Sequence, residues 1–466
     1  MMFSFIMTSC YKDKGNYDYE KVGEVKIEFP SVDEDNTMEA ESYKEFTITP
    51  EISTELDENN FSYEWTIEGD VMSTERVLHF DKLPLLARSE SYLSKLTIKD
   101  KSSDFVYSNY LHISVNSVVG AGWLILSEYD GFSHLGHKSK VDNKFTQDIF
   151  QLVNGKKLES GAVEISSDAI AQSQNDYMHI MVKNGDAKGS VFNPTTFKEY
   201  YPISESFAST APAGTPEAMS YTWHQPGMLL WGGNIYSSGS ATPFPLFVTG
   251  KLNPDNTEFH TLFVAGEVGT SYLYEETTGS WASYKWALNT NLADYGAAQA
   301  FPIANSGYQK LAIGHYVLDF FESKILSLMI DPADGKTYEL TMSTGWDNLL
   351  TETKREMPSS NLFDPATSKF LLVDGLYYYF SSGKDLYRRA HTTDDAPVLI
   401  HSFDSDIVYL AKDPTAGVYS YIVATYDNSN ALTGDIYFCT DKLTSFDITE
   451  SYLDVAGKVA DMEMKN

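Results

Sequence analysis

Between Val22 and Ser117 apolar and polar residues alternate with a period of two through five short runs: Glu24–Phe29, Glu45–Pro50, Phe61–Ile67, Leu93–Lys99 and Tyr110–Val115. Alternation of this kind places every second side chain on one face of a half-buried strand. The runs are separated by Gly, Asp, Asn and Ser, and no stretch between them carries a helical period. Five such strands in fewer than a hundred residues predict a small β-sandwich. Tyr63 and Trp65 stand two residues apart and therefore share a face, which we assign to the core.

Beyond Val118-Val-Gly-Ala-Gly122 the texture changes. A short apolar strand followed by Gly, Asp or Asn recurs at Trp123–Gly131, His179–Gly185, Met228–Gly233, Leu311–His315, Phe370–Gly375 and Tyr421–Asn428, with a weaker copy at Tyr272–Tyr274. With Leu124, Ile180, Leu229, Tyr272, Ala312, Leu371 and Ile422 as register marks, the gaps are 56, 49, 43, 40, 59 and 51. This spacing, near 50, is that of a β-propeller blade. Second strands such as Ile325–Ile330 and Tyr377–Phe380 follow. Asn193-Pro194, Asn253-Pro254, Asp331-Pro332, Asp364-Pro365 and Asp413-Pro414 add turn signals, because Asx-Pro favours turn initiation.

Seven marks between 118 and 466 predict a seven-bladed β-propeller, with the strand at Trp123 closing the ring against the last blade. A lone four-stranded blade cannot bury both of its faces, whereas a closed ring leaves only short, protected edges. Tyr272 is the softest mark, so six or eight blades remain open, and a row of sandwiches is the structural alternative. The fold class expected is all-β: an N-terminal immunoglobulin-like sandwich over 22–117, then a propeller over 118–466.

Charge narrows the function. Lys and Arg number 34 against 65 Asp and Glu, a formal net charge of −31. A nucleic-acid binder needs a basic field, and no Lys/Arg-rich run exists here. The same charge disfavours loose docking on an anionic lipid surface. No stretch reaches the roughly 18 consecutive apolar residues of a membrane helix, so membrane attachment, if any, would be covalent.

The two cysteines, Cys10 and Cys439, are too few and too far apart for a disulfide framework. Cys439 falls in the alternating run Asp435–Thr440 and reads as an inert core thiol. Cys10 ends the apolar stretch Met1–Ser9, after which the chain turns polar in Tyr11-Lys-Asp-Lys-Gly-Asn-Tyr-Asp-Tyr19. An apolar segment closing on small residues and Cys is what lipoprotein processing reads before it acylates the thiol. Residues 1–9 are then the remnant of a signal peptide and 10–21 a lipidated linker. Nine residues are short for such a signal and no Lys or Arg precedes Cys10, so the reading needs a start upstream. The alternative is an incidental cysteine near the terminus.

The Tyr63-x-Trp65 strand followed by the later alternating strand resembles PKD-type (polycystic-kidney-disease) immunoglobulin-like domains. Together with Cys10–Tyr19 it resembles the PKD-like family lipoproteins of bacteria that run Sus-type (starch-utilisation-type) outer-membrane import. The resemblance covers the lipidation region and the sandwich, and more loosely the propeller. It implies a lipid-anchored protein of the outer membrane, facing the cell exterior, that accompanies a TonB-dependent transporter and its capture lipoprotein in nutrient uptake. Oligopeptides or glycans are the ligands it implies.

Candidate chemistry is sparse. No Gly-x-Ser-x-Gly elbow, His-Glu-x-x-His helix, Walker loop, dinucleotide fingerprint or repeated Asp-box is present. His134-x-x-His137 with Asp130 and Asp142 would offer two imidazoles and carboxylates to a divalent metal, though loop histidines at this spacing commonly bind nothing. Asp331–Lys336 and Asp427–Asp435 carry oxygen ligands at turn spacing that could hold Ca²⁺, and turn chemistry accounts for the same residues. Glu275-Glu276, Asp394-Asp395 and Asp404-x-Asp406 could serve glycoside hydrolysis, which needs two carboxyls about 5–9 Å apart, but so acidic a chain contains such pairs by chance. No cofactor and no metal are expected.

The aromatic excess is more pointed: 31 Tyr, 26 Phe and 7 Trp. Flat aromatic faces stack on sugars and grip peptide side chains, and packing between blades is the competing use. Trp223, Trp281 and Trp286 are the candidate ligand or partner contacts. The expected function is therefore non-enzymatic capture at the cell surface. A propeller hydrolase, peptidase or glycosidase acting on the same nutrients is the alternative, and a purely structural adhesion module the third.

Overall fold

The computed structural model describes residues 23–167, 177–222, 225–237, 247, 250–253, 255–264, 270–285, 293–294, 306–317, 323–344, 349–358, 362–374 and 376–465. The chain divides into two compact units, Met1–Val118 and Val119–Asn466.

In the first unit a five-stranded sheet runs in the spatial order Thr37–Glu41, Val106–Asn116, Tyr92–Asp100, Phe61–Ile67, Asp70–Ser73. The first pair is parallel, Thr37 standing opposite His112, and the other three pairs are antiparallel. Two two-stranded sheets complete the unit, Val25–Glu28 with Glu51–Thr54 and Phe46–Ile48 with Leu78–Phe80. All five strands expected from the alternation exist, four with shifted ends. Trp65 is fully buried at the centre of the core, and Tyr63 packs on the same cluster from a half-buried position. The Trp65 indole N–H finds the carbonyl of Arg76 at 3.2 Å, which removes the cost of burying that donor.

The second unit is built of seven described antiparallel sheets, taken here as blades 1 to 7. Blades 2 to 7 begin with the strands Ala162–Ser167, Pro216–Thr222, Phe259–Val264, Gln309–Val317, Phe370–Leu372 and Asp406–Lys412. Blade 1 has the order Lys458–Lys465, Gly122–Tyr129, Phe132–Ser139, Phe145–Thr146, so its first strand comes from the opposite end of the unit. The Trp123 strand thus closes the ring as expected, pairing along its length with the C-terminal strand. These first strands lie side by side around the axis: those of blades 7, 1, 2, 3 and 4 succeed one another, as do those of 5, 6 and 7. Blade 4 meets blade 5 through a shared core of Tyr274, Trp281, Tyr308, Ile325, Met329, Leu340 and Met342.

Four of the Asx-Pro pairs act as turn starters. Asn193 Oδ1 accepts the N–H groups of Thr195 and Thr196, and Asp331, Asp364 and Asp413 each accept the N–H two residues on, at 2.8–2.9 Å. Asn253 works across a longer gap, accepting from Ile235 N–H at 3.0 Å.

Candidate functional site

Each blade's first strand has one edge turned to the axis, where no further strand can pair with it. Its exposed N–H groups need other acceptors, and at blades 2 and 3 carboxylates from the preceding blade supply them. Asp461 of blade 1 accepts Ile165 N–H of blade 2 at 2.9 Å, and Glu164 of blade 2 accepts Met219 N–H of blade 3 at 3.2 Å. Glu128 Oε2 of blade 1 takes Gly161 N–H at 2.7 Å and Ala162 N–H at 3.0 Å. From blade 7 the Tyr409 hydroxyl reaches Asp461 Oδ1 at 3.4 Å. Glu217 of blade 3 accepts Gly233 N–H at 2.8 Å and meets His260 Nδ1 of blade 4 at 2.5 Å.

Where the first strands begin, the ring opens into a cavity of about 590 Å³. Blade 1 contributes Glu128, Lys458, Val459 and Ala460; blade 2, Gly161, Ala162, Val163 and Lys183; Glu217, His260, Lys369 and Val408 come from blades 3, 4, 6 and 7. The volume is that of a site for a small oligomer. Both carboxylates of this mouth are engaged with backbone N–H groups, and Glu217 also with His260. The lysines are not: the described lysine ion pairs are made by other residues, and none of Lys183, Lys369 and Lys458 belongs to one. Burial, followed by the nearby Lys458 ammonium, lowers the Lys369 pKa.

Deeper along the axis stand Glu164 and Asp461, three and four residues into their strands, roughly 7–10 Å from the start at the strand rise. Both are at intermediate exposure. Burial first, then the neighbouring acids, pushes the Glu164 carboxyl well above its ordinary range. Burial likewise raises Asp461 to about 7, against the lowering effect of its N–H donors. The mouth therefore carries unpaired lysines at its entrance and, deeper along the strands, two acids whose pKa values burial raises.

The residues singled out from sequence fall elsewhere. Cys10, Trp223 and Trp286 lie outside the described residues. Trp281 is 1% exposed and packs edge-on against Tyr274 at 5.2 Å between the rings, inside the core shared by blades 4 and 5. This corrects its assignment as a ligand contact: wedge-shaped spaces between radial sheets need large rings to fill them, and no face of this indole is left for stacking. Cys439 is a free, buried thiol whose pKa burial raises to about 12, in line with an inert core position.

The histidine pair does not assemble a metal site. His134 and His137 lie on one strand, and an odd spacing sends them to opposite faces. His134 pairs with Asp148 through Nδ1 and with the Tyr129 carbonyl through Nε2, and stacks on the Tyr129 ring. His137 is buried on the other side, its pKa pushed down to about 4 by desolvation and then by Lys465. Among the described residues no group of three or more His, Cys, Asp or Glu is arranged for a metal ion. The two turns proposed for Ca²⁺ use their oxygens internally: Asp331 bonds Ala333 N–H and Lys354, and Asp427 bonds Ser429 N–H and Thr433 Oγ1. The acid pairs also diverge. Glu275 holds the turn at Thr277–Thr278 while Glu276 pairs with Lys310, and Asp394 pairs with Arg355.

Residues 10–161 match the PKD-like family. In structure the chain is similar to a quinoprotein alcohol dehydrogenase-like protein from Bacteroides thetaiotaomicron, with a TM-score of 0.54 at 14% identity over 94% of this chain and 97% of that one. At this identity the likeness speaks for the fold alone. A protein from Lactobacillus plantarum aligns with a TM-score of 0.47, 12% identity and coverage of 74% and 100%. The periplasmic gluconolactonase of Pseudomonas aeruginosa aligns at 0.44, 10%, 74% and 98%. No curated protein matches the chain in sequence.

Proposed function

We propose that this protein is a non-enzymatic, lipid-anchored accessory component of a Sus-type, TonB-dependent nutrient import system, and that it captures its ligand at the mouth of the propeller ring. The observation that carries the reading is the division of labour in that mouth. Its carboxylates are engaged: Glu128 holds backbone N–H groups of the next blade, and Glu217 holds Gly233 N–H of its own blade and His260 of the next, while its lysines are left without ion-pair partners. Such groups are placed to hold a ligand, and the carboxylates are poorly placed to exchange protons with one, since a general acid or base must keep an oxygen free for the substrate.

The match of residues 10–161 to the PKD-like family supports the remainder. Acyl chains on Cys10 would hold the protein to the outer membrane, several chains anchoring where one holds weakly. Anchoring raises the local concentration of captured ligand beside the transporter, so modest affinity suffices for hand-over. Oligopeptides and glycans are the ligand classes proposed.

One observation favours the rival hydrolase. Asp461, raised to about 7, is a carboxyl that stays partly protonated at neutral pH, as a general acid requires. Its Oδ2, however, is occupied by Ile165 N–H.

Gentle detergent extraction of tagged protein from outer membranes, with mass spectrometry of Cys10 and of co-purifying proteins, tests the reading. An acylated Cys10 recovered with a TonB-dependent transporter and its capture lipoprotein is the expected result. A lone, unacylated protein would overturn it. Turnover of peptide or glycan pools that is lost in Asp461→Asn would instead establish the hydrolase.

A further inference from the structure

Some described lysines, such as Lys99, Lys310 and Lys354, pair with a carboxylate, while others, such as Lys44, Lys82 and Lys140, stand exposed without one. Lys183, Lys369 and Lys458 belong to no ion pair, and what sets them apart is that all three line one cavity. An ammonium ion taken partly out of water without a partner costs free energy. Lys369, at an intermediate exposure and beside a second ammonium, carries that cost most plainly. The cost is recovered when a negatively charged group enters.

We propose that the propeller mouth recognises an oligomer bearing more than one carboxylate, with Lys183, Lys369 and Lys458 as the groups that hold them. This rests on the reading of the mouth as the ligand site and names its substrate class.

Two features select separate carboxylates over a single phosphate. The lysines come from three different blades, 2, 6 and 1, and so are distributed around the opening; a phosphate is held where donors converge on one point. Glu128 and Glu217 stand in the same wall, and their repulsion of a dianion exceeds that of singly charged groups spaced along a chain. A cavity of about 590 Å³ accommodates several residues of an acidic peptide or of a uronic-acid oligosaccharide. The chemistry shared by the two is the carboxylate.

The test uses the full chain carrying Cys10→Ser, so that it is free of acyl groups, titrated calorimetrically with four probes: trigalacturonic acid, its methyl ester, triglutamate and triglutamine. Binding of one acid form in the micromolar to millimolar range is expected, with its neutral counterpart at least about tenfold weaker. The arm that responds identifies the source as uronate or peptide. Lys369→Met and Lys458→Met should each weaken binding by about tenfold without lowering the temperature of thermal unfolding, since neither ammonium has a partner to lose and Lys369→Met removes a charge that the fold disfavours. Lys82→Met, in the other unit, is the control that should bind as the parent does.

Failure of both acid oligomers to bind below 10 mM would overturn the proposal, as would equal binding by the lysine variants or displacement of the bound oligomer by an equal concentration of inorganic phosphate. Ala460→Trp, which fills the mouth, separates the two levels of the argument. A neutral oligomer whose binding Ala460→Trp abolishes would keep the mouth as the site and remove the carboxylate assignment. Co-purification with a transporter is read independently and should be the same for Lys369→Met.

Discussion

Arg388 and Arg389 are neighbours on one strand of blade 6, and they clamp that blade to its neighbours on opposite sides. Arg388 Nη1 bonds Asp441 Oδ2 of blade 7 at 2.6 Å, and Arg389 Nε bonds Glu339 Oε1 of blade 5 at 2.7 Å. Alternation along a strand makes the two side chains diverge. On the adjacent strand Tyr379 and Tyr378, paired in register with Arg388 and Arg389, repeat the arrangement: their hydroxyls donate to Asp441 at 2.9 Å and to Glu339 at 2.7 Å.

The Arg389–Glu339 pair has 0% and 1% side-chain exposure, so each charge depends on the other for solvation. Removing one partner should be far worse than removing both. Glu339→Ala or Arg389→Met alone should destabilise the propeller by about 3–5 kcal/mol, whereas Glu339→Met with Arg389→Met should fall much nearer the parent. Denaturant unfolding of the three variants checks this. Equal destabilisation by the single and double changes would show that the ion pair itself contributes the stability.

Asp461 makes stability depend on pH in a particular direction. Its folded pKa, about 7, lies above the ordinary 3.8 of an unfolded aspartate, so between these values the folded chain binds more protons than the unfolded one. The contribution is fully present below about pH 4 and is lost as pH rises through 7. Glu164 shifts in the same direction. Asp461→Asn keeps an oxygen for Ile165 N–H without the charge, so it should flatten the fall in melting temperature between pH 5 and pH 8. At pH 8 it should be the more stable protein, by an amount on the order of 1–2 kcal/mol. A steeper fall in the variant would mean that the ionised carboxylate is the stabilising form.

Much of the architecture was legible because it is periodic. The seven apolar marks correspond to seven blades, yet they do not all mark the same strand. Leu124, Ile180, Leu229, Tyr272 and Ile422 fall on the second strand of their blades, and Ala312 and Leu371 on the first. First and second strands are both buried between neighbours, so hydrophobicity alone does not separate them; the step from the second strand at Tyr272 to the first strand at Ala312 produced the short gap of 40, whereas the gap of 59 runs between two first strands. The mouth was not legible. Lys183, Lys369 and Lys458 share no local motif, and only ring closure brings them to one opening. A signal did exist in the acids set among apolar strand residues, Val163-Glu164-Ile165 and Ala460-Asp461-Met462. An unexpected charge at such a position marks a channel.

Trp281 is the case in which composition misled. Its indole fills the space between blades 4 and 5, so Trp281→Ala should cost about 3–5 kcal/mol through the cavity it leaves. Binding at the mouth, measured well below the unfolding transition, should stay within about twofold of the parent. A selective loss of binding with unchanged stability would return Trp281 to the ligand site.

Ring closure can be tested at a single residue. Gly457 precedes the C-terminal strand, and its N–H bonds Ser127 Oγ at 3.2 Å. A methyl group at this position would lie 2.4 Å from the Glu128 carbonyl oxygen and 2.7 Å from its carbon. Both are backbone atoms of the strand that the C-terminal segment must meet, so neither can rotate away. The register already shifts at Leu126 and Ser127 to admit the extra residue Ala460, which leaves little slack to absorb a further displacement. Gly457→Ala should therefore destabilise the second unit by about 1–3 kcal/mol. The loss should come from the closing strand: amide exchange should quicken first in Lys458–Lys465 and Gly122–Tyr129, while Phe61–Ile67 in the first unit keeps its protection. Uniform acceleration across both units would show that the two ends of the ring are not its weakest seam.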